Sequence, residues 1–363
     1  AVNRAQEKLP AILWSATGAQ DMGAAMAETL FGHNNPAGRL NLTWYQGDHQ
    51  LPDIDDYDII GRGRPYRYFE GDVLYPFGYG LSYTEFAYSD LAVTLQDGAM
   101  LHISLQVENT GSAAGDEVVQ IYGTAPASRV KKPLRQLLAF RRLKDVTPGE
   151  SRRVEFMVPT EEFRFYDVIS RQLMVEQGSY TIYAGPSSAE ALLVAQVELP
   201  GQQTGERCLR QRTAADLYDT YENMVLTEGH FGFKAVVLHD PAKKGVLCYG
   251  DCKLEEGAQA LLLHCRSAEK SSITVFIDDR KAAFWEGDTA SYERLPVPPL
   301  DEKAREDAKR RKAGWQPVYT DVRLPLDAAL IGEVVKAGKA VEIRLELTGD
   351  ISLCSLQAEY KPG

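Results

Sequence analysis

Between residue 86 and about residue 200 the chain alternates apolar and polar residues in short runs, each closed by a turn signal. That rhythm restricts the segment to a sandwich or barrel of short strands. It is clearest in Leu101-His102-Ile103-Ser104-Leu105-Gln106-Val107, where every second residue is apolar. Successive side chains of a strand point to opposite faces, so one face of this run is buried and the other meets solvent. Further strands are predicted at Leu91 to Leu95, Glu117 to Tyr122, Ser151 to Val158 and Gly178 to Ala184, with the first run extending to Glu108. Asn109-Thr110-Gly111 and Thr147-Pro148-Gly149-Glu150 supply turns between them. About seven short strands in roughly 110 residues is the pattern of an immunoglobulin-like sandwich.

The flanks read differently. Residues 1 to about 85 suggest the end of an α/β domain: a buried parallel strand at Ala11-Ile12-Leu13-Trp14, then a helix over Ala19 to Phe31 closed by Gly32. A turn cluster, Asn34-Asn35-Pro36-Ala37-Gly38, leads to a second strand at Arg39 to Trp44. A unit this short cannot bury a core alone, so its apolar face demands a covering partner. Residues 50 to 85 have no clear periodicity and read as a long functional or interface loop. A polar linker, Gly201 to Gly205, precedes a second all-β pattern: Gly245 to Tyr249, Ala258 to Arg266, Ser272 to Asp278, Gln316 to Leu324 and Ala340 to Leu347. The charged stretch Asp301 to Lys312 reads as a solvated helix. The expected organisation is mixed: the end of an α/β sandwich domain over 1–85, an all-β sandwich over 86–200 and a jelly-roll-like sandwich over 206–363.

The formal net charge of -11 argues against nucleic acid and against anionic membrane surfaces, both of which call for a basic face. No apolar run of about eighteen residues is present to span a membrane. The first ten residues lack a signal-peptide core, and a start at Ala1 fits a processed product, a fragment or one chain of a nicked protein. All five cysteines, Cys208, Cys248, Cys252, Cys265 and Cys354, lie in the last part of the chain. An odd count without repeating spacing fits reduced thiols better than a disulfide framework, which leans toward a cytoplasmic setting and leaves secretion open. Cys248 and Cys252 resemble half a zinc site, but no second pair completes it, so neither metal nor cofactor is expected.

Two motifs carry a resemblance. Phe31-Gly32-His33-Asn34-Asn35-Pro36-Ala37-Gly38-Arg39-Leu40 is similar to the helix-to-strand turn of family 3 glycoside hydrolases. Tyr66-Arg67-Tyr68-Phe69 followed by Leu74-Tyr75-Pro76-Phe77-Gly78-Tyr79-Gly80-Leu81-Ser82-Tyr83-Thr84 is similar to the signature that ends the family's α/β-sandwich domain. Val107 to Gly111, Gly115 to Tyr122, Pro133 to Phe140, Pro148-Gly149-Glu150 and Gly178-Ser179-Tyr180 resemble the fibronectin-III-like domain that follows it. The last domain resembles a family 6 carbohydrate-binding module, on Ile273 to Asp278, Gly314 to Tyr319 and the closing strands from Ile343 to Cys354.

The resemblance implies an exo-acting, retaining β-glycosidase that removes terminal non-reducing β-linked sugars in plant polysaccharide breakdown. Thr43-Trp44-Tyr45 and Gly63 to Phe69 look more like the β-xylosidase branch than the β-glucosidase branch. Such enzymes need two carboxylates about 5–5.5 Å apart. The family places its nucleophilic Asp in an N-terminal barrel and its acid/base Glu ahead of the strand at Ala11 to Trp14, so no catalytic residue is assigned within this chain. The acidic run Asp53 to Asp58 reads as solvated loop. Arg67 and Tyr68 are candidate substrate contacts; the alternative is a purely structural loop in which Tyr75, Phe77 and Tyr79 wedge the domain onto its neighbour. Trp315, Phe231, Phe233 and Tyr249 are candidate sugar-stacking residues, with Trp315 equally readable as a cap on the sandwich core. Expected partners are the N-terminal catalytic barrel half, an oligosaccharide substrate and a second copy in a homodimer. A non-catalytic sugar-binding fragment and a structural or dimerisation fragment remain the alternatives.

Overall fold

In the computed structural model, strand β2 (Met100–Asn109) buries Leu101, Ile103, Leu105 and Val107 almost completely. The structure describes residues 2–361 except 16–17, 19, 53, 55–56, 126–129, 230–232, 268–269 and 290–318. The chain divides into two compact units: residues 1–165 with 173–203, and residues 166–172 with 204–363.

In the first unit, β2 lies between β1 (Phe86–Gln96) and a later strand over Ser151–Pro159, antiparallel to both. A second sheet begins with β3 (Gly115–Thr124) and β4 (Gln136–Val146), so the Ser151–Pro159 strand is β5. After β6 (Phe165–Asp167) and β7 (Gln172–Met174), which pair with each other, come β8 (Gly178–Gly185) and β9 (Leu193–Leu199). The sheets run β1-β2-β5 and β4-β3-β8-β9 and face one core, in which Leu105, Val107, Val119, Ile121, Val154 and Ile182 meet. Strand β5 shows the alternation expected of a half-buried strand: Val154, Phe156 and Val158 point in, while Arg153, Glu155 and Met157 face out. Strand β3 does not. It is buried on both faces, because residues from the 1–85 segment, Gly78 among them, cover its outer side.

That segment departs from expectation. It supplies helices α1 (Asn3–Lys8) and α2 (Met22–Leu30), with Gly32 beyond α2 at φ +75° as a left-handed stop. Neither helix buries a residue. The expected strands at Ala11–Trp14 and Arg39–Trp44 do not form sheet ladders. Leu13 and Trp14 are exposed, and Trp44 makes only an isolated antiparallel bridge with Tyr75. A parallel strand is stable only between hydrogen-bonding neighbours, and the described residues around 11–14 provide none. Residues 40–44 instead follow the 74–79 segment, with Leu40 N donating to Tyr79 O at 2.9 Å and Gly78 N to Leu40 O at 2.7 Å.

The second unit contains β10 (Arg207–Cys208), β11 (Thr213–Ala214), β12 (Thr220–Glu222), β13 (Met224–Glu228), β14 (Lys234–Leu238) and β15 (Gly245–Lys253). It continues through β16 (Ala258–Ser267), β17 (Ser271–Ile277), β18 (Arg280–Gly287), β19 (Thr320–Pro325), β20 (Val341–Thr348) and β21 (Ile351–Tyr360). Two sheets result, β10-β15-β20-β17-β18 with β12 beside β15, and β13-β14-β21-β16-β19 with β11 beside β21. Leu247, Val275 and Leu345 from the first meet Leu261, Leu324 and Leu353 from the second in one core. An unforeseen helix, α3 (Ala328–Ala337), joins β19 to β20. Asp327 caps it by accepting from Leu330 N at 2.9 Å, and Gly338 ends it at φ +63°. The Asp-to-Gly bracket was visible in the sequence, as were Leu330, Ile331 and Val334 on one face. The expected helix at Asp301 to Lys312 lies outside the described residues.

At the surface turn after β4, Glu150 accepts from Arg152 and from Thr147, which holds its carboxyl down to about 2. A carboxyl depressed in the folded state favours folding above its ordinary value near 4.5, and this contribution fades as pH falls through about 2. NMR titration of Glu150 should therefore give a midpoint near 2, and Glu150→Gln should flatten the acid limb of the stability curve across that window. A second expectation concerns the buried pair of Arg39 and Glu117, whose side chains are 8% and 4% exposed and lie 2.8 Å apart. Glu117→Ala strands a buried guanidinium and should cost about 3–5 kcal/mol of stability by denaturant unfolding.

Candidate functional site

The loop from Gly61 to Tyr83 is ordered by turns and rings rather than by regular secondary structure. Gly63 takes φ +66°, where an added Cβ would sit 3.0 Å from Tyr68 O. Pro65 O then accepts from both Tyr68 N and Phe69 N at 3.0 Å, folding the Tyr66-Arg67-Tyr68-Phe69 run into a compact turn. Tyr66 stacks on Phe77 at 4.2 Å and meets Tyr122 of β3 edge-on at 6.2 Å. Its hydroxyl accepts from Leu137 N at 3.2 Å, while Arg67 O accepts from Leu134 N at 2.6 Å. Phe77 O accepts from Ser188 N at 2.9 Å. The loop is thus tied to strand β4, its approach, and the turn after β8.

Gly78 is a tight point against β3. Its φ is +82°, and a Cβ there would fall 2.1 Å from Gln120 Oε1 and 3.0 Å from the Tyr122 hydroxyl. Gln120 donates to Gly78 O at 3.1 Å and to Pro186 O, and Tyr122 donates to Gln120 Oε1 at 2.5 Å. Burial pushes the Tyr122 phenol far above its ordinary range, so it stays a neutral donor. Nearby, Tyr88 donates to Glu117 at 2.6 Å, and burial together with that carboxylate drives its phenol upward as well.

The two substrate candidates sit side by side on this loop. Arg67 is exposed and Tyr68 half-buried; burial raises the Tyr68 phenol, and the Arg67 charge partly offsets it. Next to them opens a cleft of about 390 Å³, whose lining includes Tyr66, Phe69, Glu70 and Arg135 but neither Arg67 nor Tyr68. Sequence reasoning missed Arg135, which lies far along the chain and reaches the loop only through the fold. In the acidic run, Asp53, Asp55 and Asp56 lie outside the described residues, Ile54 and Tyr57 are exposed, and Asp58 accepts from Gly61 N at 2.8 Å as a turn cap.

In the second unit, the proposed role of Tyr249 must be corrected. Its ring is fully buried in the sandwich core, and its hydroxyl donates to Ala215 O at 2.7 Å. No face of the ring is left to stack on a sugar. Phe233 is half-buried just before β14, whereas Phe231 and Trp315 lie outside the described residues. No disulfide links the five cysteines. Burial pushes the Cys252 and Cys265 thiols up to about 12, which makes them weak nucleophiles and weak ligands. Among the described residues no group of three or more His, Cys, Asp or Glu is arranged to hold a metal. His264, another residue unremarked in the sequence, pairs with Asp321 at 2.8 Å and stacks on Tyr319 at 5.6 Å, while Arg212 donates to the other Asp321 oxygen at 2.9 Å. These contacts form a satisfied polar network on the outer side of β16 and β19. No helix among the described residues is long and apolar enough to cross a membrane.

Comparison with known proteins adds a class. Residues 1–83 match the glycosyl hydrolase family 3 C-terminal domain, and residues 117–188 match the fibronectin type III-like domain. The chain therefore carries these two domains in succession. It is 39% identical over 172 residues to a xylan 1,4-beta-xylosidase of Xylanibacter ruminicola, covering 47% of this chain and 19% of that protein. It is 32% identical over 205 residues to thermostable beta-glucosidase B of Acetivibrio thermocellus, covering 52% of this chain and 26% of that one. A solved beta-glucosidase from Bifidobacterium adolescentis is 29% identical, with TM-score 0.48, over 52% of this chain and 29% of that one. The chain thus spans about a quarter or less of the length of these two curated relatives.

The geometry at Gly78 makes a direct prediction. Gly78→Ala must leave the left-handed region or push Gln120 away from its two acceptors, so it should cost at least about 1–2 kcal/mol from the backbone alone. Denaturant unfolding followed by near-ultraviolet circular dichroism, which reads the rings around Tyr66 and Tyr122, checks it.

Proposed function

We propose that this chain is part of an exo-acting, retaining β-glycosidase that hydrolyses terminal non-reducing β-linked sugars of plant polysaccharides, with xylose preferred to glucose. The observation that carries the reading is the ordered pair of matches, the family 3 C-terminal domain over 1–83 followed by the fibronectin type III-like domain over 117–188. The names of the relatives, xylosidase and glucosidase, support the reaction class. The lean toward xylose rests on Thr43-Trp44-Tyr45 and Gly63 to Phe69, beside the 39% identity to the xylosidase.

In this reading the nucleophilic Asp and the acid/base Glu belong to an N-terminal catalytic barrel half, which is this chain's partner. Leu9, Leu13, Trp14, Leu30 and Phe31 are exposed on the 1–85 segment, a run of apolar surface suited to covering by that partner. Arg67 and Tyr68 contact substrate from the loop: a guanidinium fork and a neutral phenol both suit sugar hydroxyls. The domains are 1–85, 86–200 and 206–363, the last a carbohydrate-binding sandwich in which Phe233, Phe231 and Trp315 stack on sugar.

The reading is tested by hydrolysis of aryl β-xyloside and aryl β-glucoside, with this chain alone and with it combined with the upstream polypeptide. Activity is expected only in the combined sample, faster on the xyloside, and Arg67→Ala should raise KM more than it lowers kcat. Activity in the isolated chain would place the catalytic carboxylates within it. Silence in both samples would leave the binding-module reading in its place.

A further inference from the structure

The cleft beside the Tyr66–Phe69 turn joins walls from four separate stretches of sequence. Tyr66, Phe69, Glu70 and Gly71 come from the loop, Arg135 from the approach to β4, and Thr43 and Ser188 from two further stretches. Its volume of about 390 Å³ falls within the range of small-molecule sites and suits one or two sugar rings. The walls are mutually braced rather than merely adjacent. Arg135 donates to Ser188 O and lies 4.7 Å over the Tyr183 ring, so its guanidinium is held in place at the cleft edge. Phe69 rests edge-on against Tyr45 at 5.0 Å. Gly71 allows that ring to lie close, since a Cβ at 71 would come within 2.8 Å of it. Such bracing removes ordering cost from ligand binding.

The chemistry of the lining defines a ligand. One cation and one anion, Arg135 and Glu70, line the cleft together with aromatic and apolar residues that include Phe69, Val73 and Leu134. A charged ligand would meet one partner and one repeller. A neutral ring with an apolar face and a polar rim is matched on every side: carbon-bound hydrogens against Phe69, hydroxyls to Glu70 and to the remaining Arg135 donors. Thr43 is 8% exposed, and its hydroxyl has no hydrogen-bond partner among the described residues, leaving a further polar group unused at this wall. We propose that this cleft is a glycan-binding site for one or two neutral sugar residues, built where the family 3 C-terminal segment meets the fibronectin-like sandwich. The choice of a sugar draws on the glycosidase reading, but the site requires no catalytic residue and is tested without hydrolysis.

Saturation-transfer NMR on the 363-residue chain, with xylobiose and cellobiose as probes, is the test. Transfer is expected with affinity in the millimolar range, and Phe69→Ala and Glu70→Ala should each weaken it about tenfold, the scale of one aromatic contact or one good polar contact. Glu70 is exposed, so Glu70→Ala should leave the melting temperature unchanged and is the deciding variant. Absence of transfer to both sugars overturns the proposal, as does an unchanged affinity in Glu70→Ala. Transfer lost in Phe233→Ala instead would locate sugar binding in the second unit and also overturn it. Binding that weakens in Glu70→Ala, with no hydrolysis in the combined enzyme sample, would uphold this site while the glycosidase reading failed.

Discussion

Strand β3 buries polar side chains on both of its faces, and satisfying them organises the whole first unit. Glu117 takes the Arg39 guanidinium at 2.8 Å and the Tyr88 hydroxyl at 2.6 Å. Gln120 bonds the backbone at Gly78 and Pro186 and receives the Tyr122 hydroxyl. An unpaired buried polar group costs about 1–3 kcal/mol, and a buried charge considerably more. Each of these side chains therefore prescribes where the 1–85 segment must lie. The same contacts bring Tyr66 onto Phe77 and fasten Arg67 O to Leu134 N, so the turn bearing Arg67, Tyr68 and Phe69 is a consequence of how β3 is covered.

The coverage also explains how a segment without its own sheet holds a defined shape. Helix α2 buries none of its residues, and Trp14 meets Trp44 only edge-on at 5.5 Å. Propensity alone would leave such short elements marginal. Order comes instead from the antiparallel course of 40–44 against 74–79 and from the stacked Tyr75 and Tyr79 rings, 5.2 Å apart.

The second unit solves its burial problem in a more ordinary way, with two sheets closing on an apolar core. A buried ion pair is built in. Arg207 and Asp219 are 5% and 3% exposed and pair at 3.3 Å, with Arg207 also donating to Leu217 O at 2.7 Å and Asp219 accepting from Gly250 N at 2.6 Å. The Tyr249 ring lies below this pair, 5.5 Å from the guanidinium, as part of the support rather than of any binding face. Buried thiols fill space nearby as small hydrophobes, consistent with their raised proton affinity.

How far the sequence reached depended on whether burial is a local or a distant matter. Strands β2 and β5 were legible because a period of two is written in neighbouring residues, and the turn at Thr147 to Glu150 because its chemistry is local. The motifs around Gly32, Gly78 and Tyr66 marked the class of the first unit, since left-handed glycines and ring clusters leave recognisable spacing. Two apolar runs, 11–14 and 39–44, carry a strand pattern without forming sheet ladders, because periodicity records only side-chain pattern. Whether a strand exists is decided by hydrogen-bonding neighbours, which the pattern does not encode. Tyr249 showed the same limit, an aromatic whose sequence cannot tell a binding face from a core position. Arg135 joined the cleft only when the fold brought residues far apart in sequence to one wall. The sequence by itself determined the period-two strands, the turns and the domain class; the tertiary structure alone decided which polar groups were buried together, because desolvation depends on what packs against a residue and not on its neighbours in the chain.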